Sequence, residues 1–128
     1  MKKEIKILIV EDEALSALLL KKNLTLMGYE VCSPVATGED AVESAEKERP
    51  DVILMDIRLP GNMNGIEAAQ EIGSHHEIPI IFMTGYADEE VIEKTRALEP
   101  VACLTKPIDM RDIDSAIGLA CHKNGSSR

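Results

Sequence analysis

Short, nearly continuous apolar runs recur along this chain, separated by longer stretches with a helical repeat. Ile5–Val10 reads IKILIV, Val52–Met55 reads VILM and Ile78–Met83 reads IPIIFM, with weaker runs at Glu30–Val35 and Val101–Leu104. Strands apolar on both faces belong in a parallel sheet covered by helices on both sides. Between the runs, Ala14–Met27 carries Leu15, Leu18, Leu19 and Leu26 on one side, and Gly28 follows as a stop signal. Thr37-Gly38-Glu39-Asp40 resembles a capping box opening Ala41–Glu48, and Asn64 or Gly65 opens Ile66–Ile72. Asp88 caps Glu89–Leu98, with acids in the first turn where the helix dipole favours them. Asp109 caps a last helix running to about His122, in which Ile113, Ile117 and Leu119 are expected to pack on the sheet.

The order is strand then helix, five times over, without an internal repeat or a linker. Strict alternation predicts an α/β fold, doubly wound, with right-handed crossovers. Five strands suit the flavodoxin-like (βα)5 arrangement of order 2-1-3-4-5. One domain is expected over residues 1–123, with 124–128 as a loose, disordered tail. In such sheets ligands bind beyond the carboxyl ends of the strands where the order reverses, here between the first and third strands.

Composition narrows the function classes. Apolar residues make up 45% of the 128 and charged residues 29%, which suits one globular core. Aromatic residues are only 2%, so stacking on bases is largely excluded. The formal charge of -9 argues against direct nucleic-acid binding and against adsorption to an anionic membrane. Cys32, Cys103 and Cys121 have no C-x-x-C spacing and no secretory pattern precedes them, so a reducing cytoplasm is the expected compartment. The longest apolar runs are too short to span a bilayer.

The strand ends carry the candidate chemistry. The first strand ends in Glu11-Asp12-Glu13, the third in Asp56 and the fourth in Thr84, while the fifth runs through Thr105 into Lys106-Pro107. The fold would gather Glu11, Asp12, Asp56, Thr84 and Lys106 around one crevice. Clustered carboxylates are costly unless a cation compensates them. Mg²⁺ prefers carboxylate oxygen and water, and keeps positions for phosphate oxygens. Glu13 is read as a solvated or capping residue. Lys106 suits a phosphoryl oxygen or a salt bridge to Asp56, and Thr84 offers a hydroxyl donor. Pro107 is compatible with a cis peptide that would aim the lysine inward. His75 and His76 fall before the fourth strand and are expected on an exposed loop, not on a metal. His122 is expected to be exposed on the last helix.

The segments ILIVEDE, ILMDIRLP, PIIFMTG and LTKP resemble the four signature blocks of response-regulator receiver domains, in order and spacing, over essentially the whole chain. The resemblance implies that Asp56 is the phosphoacceptor in two-component signalling. It implies that Asp12, Asp56 and the Arg58 carbonyl ligate Mg²⁺ (or Mn²⁺ as a substitute), with Glu11 acting directly or through water. Thr84 and Lys106 would hold the phosphoryl group, and Arg58 and Tyr86 would tune its loss to water. The implied donor is a histidine kinase or phosphotransfer protein and the implied receiver of the signal a downstream effector protein or attached domain. The chain would be a monomer or weak homodimer, catalysing only its own phosphorylation and dephosphorylation.

Some positions depart from the family pattern. Cys103 stands where an aromatic switch residue is usual, and is expected to be a small, half-buried strand residue. The signal is then expected to leave through the Gly85–Asp88 loop and its following helix. Gly85 and Ile108 replace commoner residues, and Pro60–Gly65 is one residue longer than the usual loop. Three other readings each meet an obstacle at a particular position. A haloacid-dehalogenase-type phosphatase needs a second Asp where Arg58 stands. A flavin module needs a Ser/Thr/Gly-rich phosphate loop where Glu11-Asp12-Glu13 stands. The complete set of five site residues argues against a non-phosphorylated pseudo-receiver acting only as an interaction module, but Cys103 at the switch position is compatible with one.

Overall fold

The computed structural model describes residues 4–85 and 89–125. Five strands, β1 (Lys6–Val10), β2 (Glu30–Val31), β3 (Val52–Asp56), β4 (Ile80–Thr84) and β5 (Ala102–Thr105), alternate with α1 (Ala14–Leu26), α2 (Gly38–Glu48), α3 (Gly65–Gly73), α4 (Glu89–Arg96) and α5 (Met110–Gly125). The sheet order is β2-β1-β3-β4-β5 and every pairing is parallel. This is the flavodoxin-like (βα)5 arrangement that the alternation predicts.

The two-residue period of the central strands sorts their side chains into two cores. Leu8, Val10, Ile53, Met55 and Phe82 pack on one face, with Ala41 and Ala45 of α2 and Ile66, Ala68, Ala69 and Ile72 of α3. Ile7, Ile9, Val52, Leu54, Ile81 and Met83 pack on the other, with Leu24 of α1 and Ile113, Ala116, Ile117 and Ala120 of α5. Both faces of β1, β3 and β4 are thus dry, which is why those segments read as unbroken apolar runs. The edge strand β5 is only partly covered, and its pattern is correspondingly weaker.

Several boundaries move for identifiable reasons. β2 stops at Val31 because Ser33-Pro34 interrupts the ladder, and Pro34 has no amide hydrogen to donate. Pairing resumes for one step, where Val35 bridges Val10. β4 starts at Ile80, after Pro79, whose carbonyl still accepts from Ile53 N–H at 3.0 Å. α2 begins at Gly38, with the Thr37 hydroxyl accepting the Asp40 amide. The reciprocal capping box lies at α3, where Asn64 Oδ1 accepts from Glu67 N–H and Glu67 Oε1 accepts from Asn64 N–H. Gly28 ends α1 with φ of +101°, a conformation that strongly favours glycine. α5 runs to Gly125, past the expected start of the tail; the expected Asp88 cap and residues 126–128 lie outside the described residues, as does the side chain of His122.

The leucine side of α1 does not face the sheet. Ala17 and Leu24 are the buried residues of α1, whereas Leu15, Leu18, Leu19 and Leu26 are 68%, 62%, 53% and 76% exposed. The helix is apolar on two opposite faces. Burying a leucine is worth about 1.5–3 kcal/mol, so this outer face forgoes a stabilisation that the core face obtains. Leu119 also corrects the sequence expectation: Ile113 and Ile117 are fully buried, but Leu119 is 62% exposed.

His75 and His76 are held by carboxylates. His75 Nε2 lies 3.3 Å from Glu71 Oε2, and His76 Nε2 lies 2.7 Å from Glu46 Oε1, tying the end of α3 to α2. His76 is therefore half-buried rather than exposed. Its hydrogen bond, helped by Arg49, holds the Glu46 carboxyl below the usual range.

Asp109 does cap α5. It accepts Arg111 N–H at 2.8 Å and pairs with the Arg111 guanidinium at 2.8 Å. These bonds, the side-chain one first, lower its pKa from 3.8 to about 2. A depressed carboxyl pKa adds stability that is complete above the unfolded value and is lost as pH falls through the folded one. Asp109→Asn should therefore cost stability at neutral pH, and its deficit against the parent should shrink between about pH 4 and pH 2. Urea unfolding across that range reads this directly, and a deficit independent of pH would contradict it.

Candidate functional site

Parallel strands deliver their carboxyl ends to one rim. β3 ends at Asp56, β4 at Thr84, and Glu11 and Asp12 follow β1 directly. The β3–β4 register sets Asp56 opposite Met83, so Thr84 projects one residue further. Lys106 follows β5, its amide bonded to the Thr84 carbonyl at 2.8 Å. The Lys106–Pro107 peptide is cis.

One oxygen from each of Glu11, Asp12 and Asp56 lies within 4.8 Å of the other two. Glu11 and Asp56 are 3% and 4% exposed, and Asp12 is the solvent-facing member. Lys106 bridges the two buried acids: its Nζ donates to Glu11 Oε1 at 2.8 Å and to Asp56 Oδ2 at 2.9 Å. Burial works against the ammonium, but the bonds to Glu11 and Asp56 outweigh it and hold its pKa above the usual lysine value. Asp56 Oδ1 accepts from Arg58 N–H at 3.2 Å, and Glu11 Oε2 from Glu13 N–H at 3.1 Å. Three hard oxygen donors within reach of one centre, one of them open to water, is a donor set suited to Mg²⁺. Among the described residues this is the one such cluster, and the two histidines join none.

Thr84 is buried and lines a cavity of about 720 Å³ between α3 and α4, together with Arg58 and Val91. A second cavity, of about 610 Å³, is lined by Glu11 and Lys106 and by Leu19, Leu20, Ile108 and Met110. The sequence places Leu19 on one side of α1 but gives no hint that this side forms an apolar margin to the site. Cys103 is exposed on β5, not half-buried. Tyr86 lies outside the described residues.

Residues 7–118 match the response regulator receiver domain. The chain belongs to that family. It is 38% identical over 115 residues to the transcriptional regulatory protein PdtaR of Mycobacterium tuberculosis, covering 90% of this chain and 56% of the relative. The chain thus spans about half the length of the curated relatives it matches. The receiver domain of a modulated diguanylate cyclase from Desulfovibrio desulfuricans superposes with a TM-score of 0.91 at 34% identity, covering 98% of this chain and all of that one. The receiver domain of a sensor histidine kinase from Pseudomonas aeruginosa superposes with a TM-score of 0.80 at 33% identity, covering 90% and 95%. That structure is described with a magnesium ion coordinated in the active-site cleft. This family is regulatory and belongs to two-component signalling. No helix among the described residues is long and apolar enough to cross a membrane.

Gly65, sequence-legible only as a helix start, sets the position of the rim. Its amide bonds the Ile57 carbonyl at 2.8 Å, and a Cβ there would lie 2.1 Å from the Asp56 carbonyl oxygen. Backbone cannot yield as a side-chain tip can. Gly65→Ala should cost about 1–3 kcal/mol by overpacking. The loss would be read by urea unfolding, and a cost under about 0.5 kcal/mol, the scale of an ordinary surface change, would mean that β3 and α3 can separate freely.

Proposed function

We propose that this domain is a phosphorylation-activated switch in which Asp56 accepts a phosphoryl group from a phosphohistidine in a Mg²⁺-dependent reaction. The observation that carries the reading is the Lys106 bridge between Asp56 and Glu11 beside an exposed Asp12. Asp56 would attack as a carboxylate held against the Lys106 ammonium at 2.9 Å, so no general base is required. An Asp56 oxygen bonds to phosphorus as the phosphorus–nitrogen bond of the donor breaks. The departing imidazole nitrogen keeps the bonding pair. Charge spreads over the phosphoryl oxygens in the transition state, so fixed positive charge is the main catalytic need. Lys106 supplies one such charge. Asp12, Asp56 and the Arg58 carbonyl would hold Mg²⁺ (or Mn²⁺), which when bound neutralises phosphoryl oxygens. The Thr84 hydroxyl would donate to one of those oxygens. Water later attacks phosphorus, the Asp56 oxygen–phosphorus bond breaks, and inorganic phosphate leaves, with Arg58 beside its path. The catalysis is confined to the domain's own phosphorylation and dephosphorylation.

The partners follow from the same rim. The donor is a histidine kinase or phosphotransfer protein, and a downstream effector protein or attached domain reads the state, in a reducing cytoplasm. Leu19 lines the cavity that Glu11 and Lys106 share, and Leu15 and Leu18 extend the apolar surface along α1. An apolar surface continuous with the phosphoacceptor suits a protein donor, because the donor must cover that margin to deliver its phosphohistidine.

Intact mass after incubation with acetyl phosphate tests the chemistry. One phosphoryl unit should be gained, lost with chelator and lost in Asp56→Asn. No gain from acetyl phosphate or from any phosphohistidine donor, with no response to Mg²⁺, would instead favour an interaction module that is never phosphorylated. Leu15→Ser with Leu19→Ser should slow transfer from a protein donor by about 10-fold, the scale of lost interface anchors, while acetyl phosphate labelling stays unchanged. Equal slowing with both donors would place the defect in the site and not in docking.

A further inference from the structure

α3 and α4 do not close on one another. The cavity between them, of about 720 Å³, continues past Gln70 and Ala97 into a second one of about 500 Å³, because those two residues line both. Elements packed on one sheet normally interlock and leave few voids larger than a water molecule. Here α4 turns Val91 and Lys94 to the gap, and Ala97 follows in the same three-residue step. α3 contributes Glu67 and Gln70. None of these is a large apolar residue that could fill the space. Leu59 and Ile66 line it as well, so apolar wall is left without a protein partner across the gap.

We propose that the cavity between α3 and α4 is a binding site for a small amphipathic monocarboxylate, its apolar body against Leu59, Ile66 and Val91 and its charge toward Lys94. The volume falls in the range of small-molecule sites, about 300–1,000 Å³. The lining sets the sign of the ligand. It holds two cationic residues, Arg58 and Lys94, and one acid, Glu67, in a chain of formal net charge -9. Glu67 is committed to the start of α3, its Oε1 accepting from Asn64 N–H at 2.9 Å. Lys94 has no ion-pair partner among the described residues, and its neighbour Glu93 pairs with Arg96 at 3.6 Å instead. One negative charge balances this set, whereas a polyphosphate would meet Glu67. A nucleobase finds no aromatic side chain to stack on along this lining. Inorganic phosphate would leave the apolar wall in water. An aryl or alkyl carboxylate satisfies both the charge and the wall. Arg58 and Thr84 border the phosphoacceptor too, so an occupant touches two residues of that site. This link rests on the phosphoacceptor reading, but binding to the unmodified domain does not.

The test titrates 1-naphthylacetate, and 1-naphthylacetamide as its uncharged isostere, into the whole domain and follows ¹⁵N amide shifts. The carboxylate should bind with a dissociation constant of about 1 mM or tighter, the scale of a small fragment, and shift the Ile66, Gln70, Val91 and Lys94 amides most. The isostere should bind about 3-fold more weakly. Lys94→Gln should weaken the carboxylate by about 3-fold and Gln70→Lys should tighten it by about 3-fold, the scale of an exposed charge pair. Lysine and glutamine have similar helix propensities, so both variants keep their helices. Ala97→Trp, at an exposed position, should abolish binding by filling the gap. Leu15→Ser with Leu19→Ser should leave it unchanged. Equal affinity for acid and isostere, or indifference to both charge changes, would overturn the anion assignment. Shifts centred on α1 or on Glu11 and Asp12, or binding that survives Ala97→Trp, would overturn the site. With ligand bound, acetyl phosphate labelling should be at least about twofold slower in wild type and unaffected in Ala97→Trp. A rate indifferent to bound ligand would overturn the link to the phosphoacceptor. If wild type takes no label at all, that link fails with the phosphoacceptor reading, while the titration alone still decides the site.

Discussion

The ammonium of Lys106, shared between two buried carboxylates, is the contact on which the carboxyl edge of the sheet depends. Asp56 and Glu11 are almost fully removed from water at the ends of adjacent strands. Leaving one buried charge without its partner costs about 3–5 kcal/mol, and a domain of this size has roughly 5–15 kcal/mol in total. Lys106 is partly solvated, so the lower end of that range applies. Even so, the lysine makes the resting arrangement affordable, and it ties β5 to β1 across the whole width of the functional rim.

The same arrangement makes the site responsive. Any cation or phosphoryl group that engages Asp56 must renegotiate a bond that Lys106 already makes. Lys106 is also joined through its backbone to Thr84, and Thr84 lines the space between α3 and α4. A change at Asp56 would therefore be passed to β4 and β5 through contacts already in place. α4 meets the core mainly through Val91 and the buried Thr95. That is a short, lightly anchored helix beside the group whose surroundings change, which is where a shift between two arrangements costs least.

Much of this was legible in the sequence because parallel sheets leave a strong mark. IKILIV and VILM are apolar on both faces, and strand-end Asp56, Thr84 and Lys106 could converge in only one place once the order 2-1-3-4-5 was read. The amide-less Pro34 and Pro79 blurred the ends of β2 and β4, since hydrophobic pattern does not register a missing donor. The outward direction of the α1 leucines was hidden for a different reason. Periodicity reports that residues share a side of a helix but not which side faces the sheet, and here Ala17 and Leu24 form the core face. The differing commitments of Glu11, Asp12 and Asp56 were invisible for a third reason: spacing gathers carboxylates without saying which is buried or which already holds a partner.

If the acidic cluster is a cation site, Asp12 is its accessible ligand. Unfolding free energy against Mg²⁺ concentration tests it most directly, because a ligand of the native state stabilises by about 2.7 kcal/mol at 100 times its dissociation constant. A cation site of this kind gives a rising, saturating stability for the wild type and a flattened response for Asp12→Asn. A stability indifferent to Mg²⁺, or an Asp12→Asn response equal to the wild type, would contradict it.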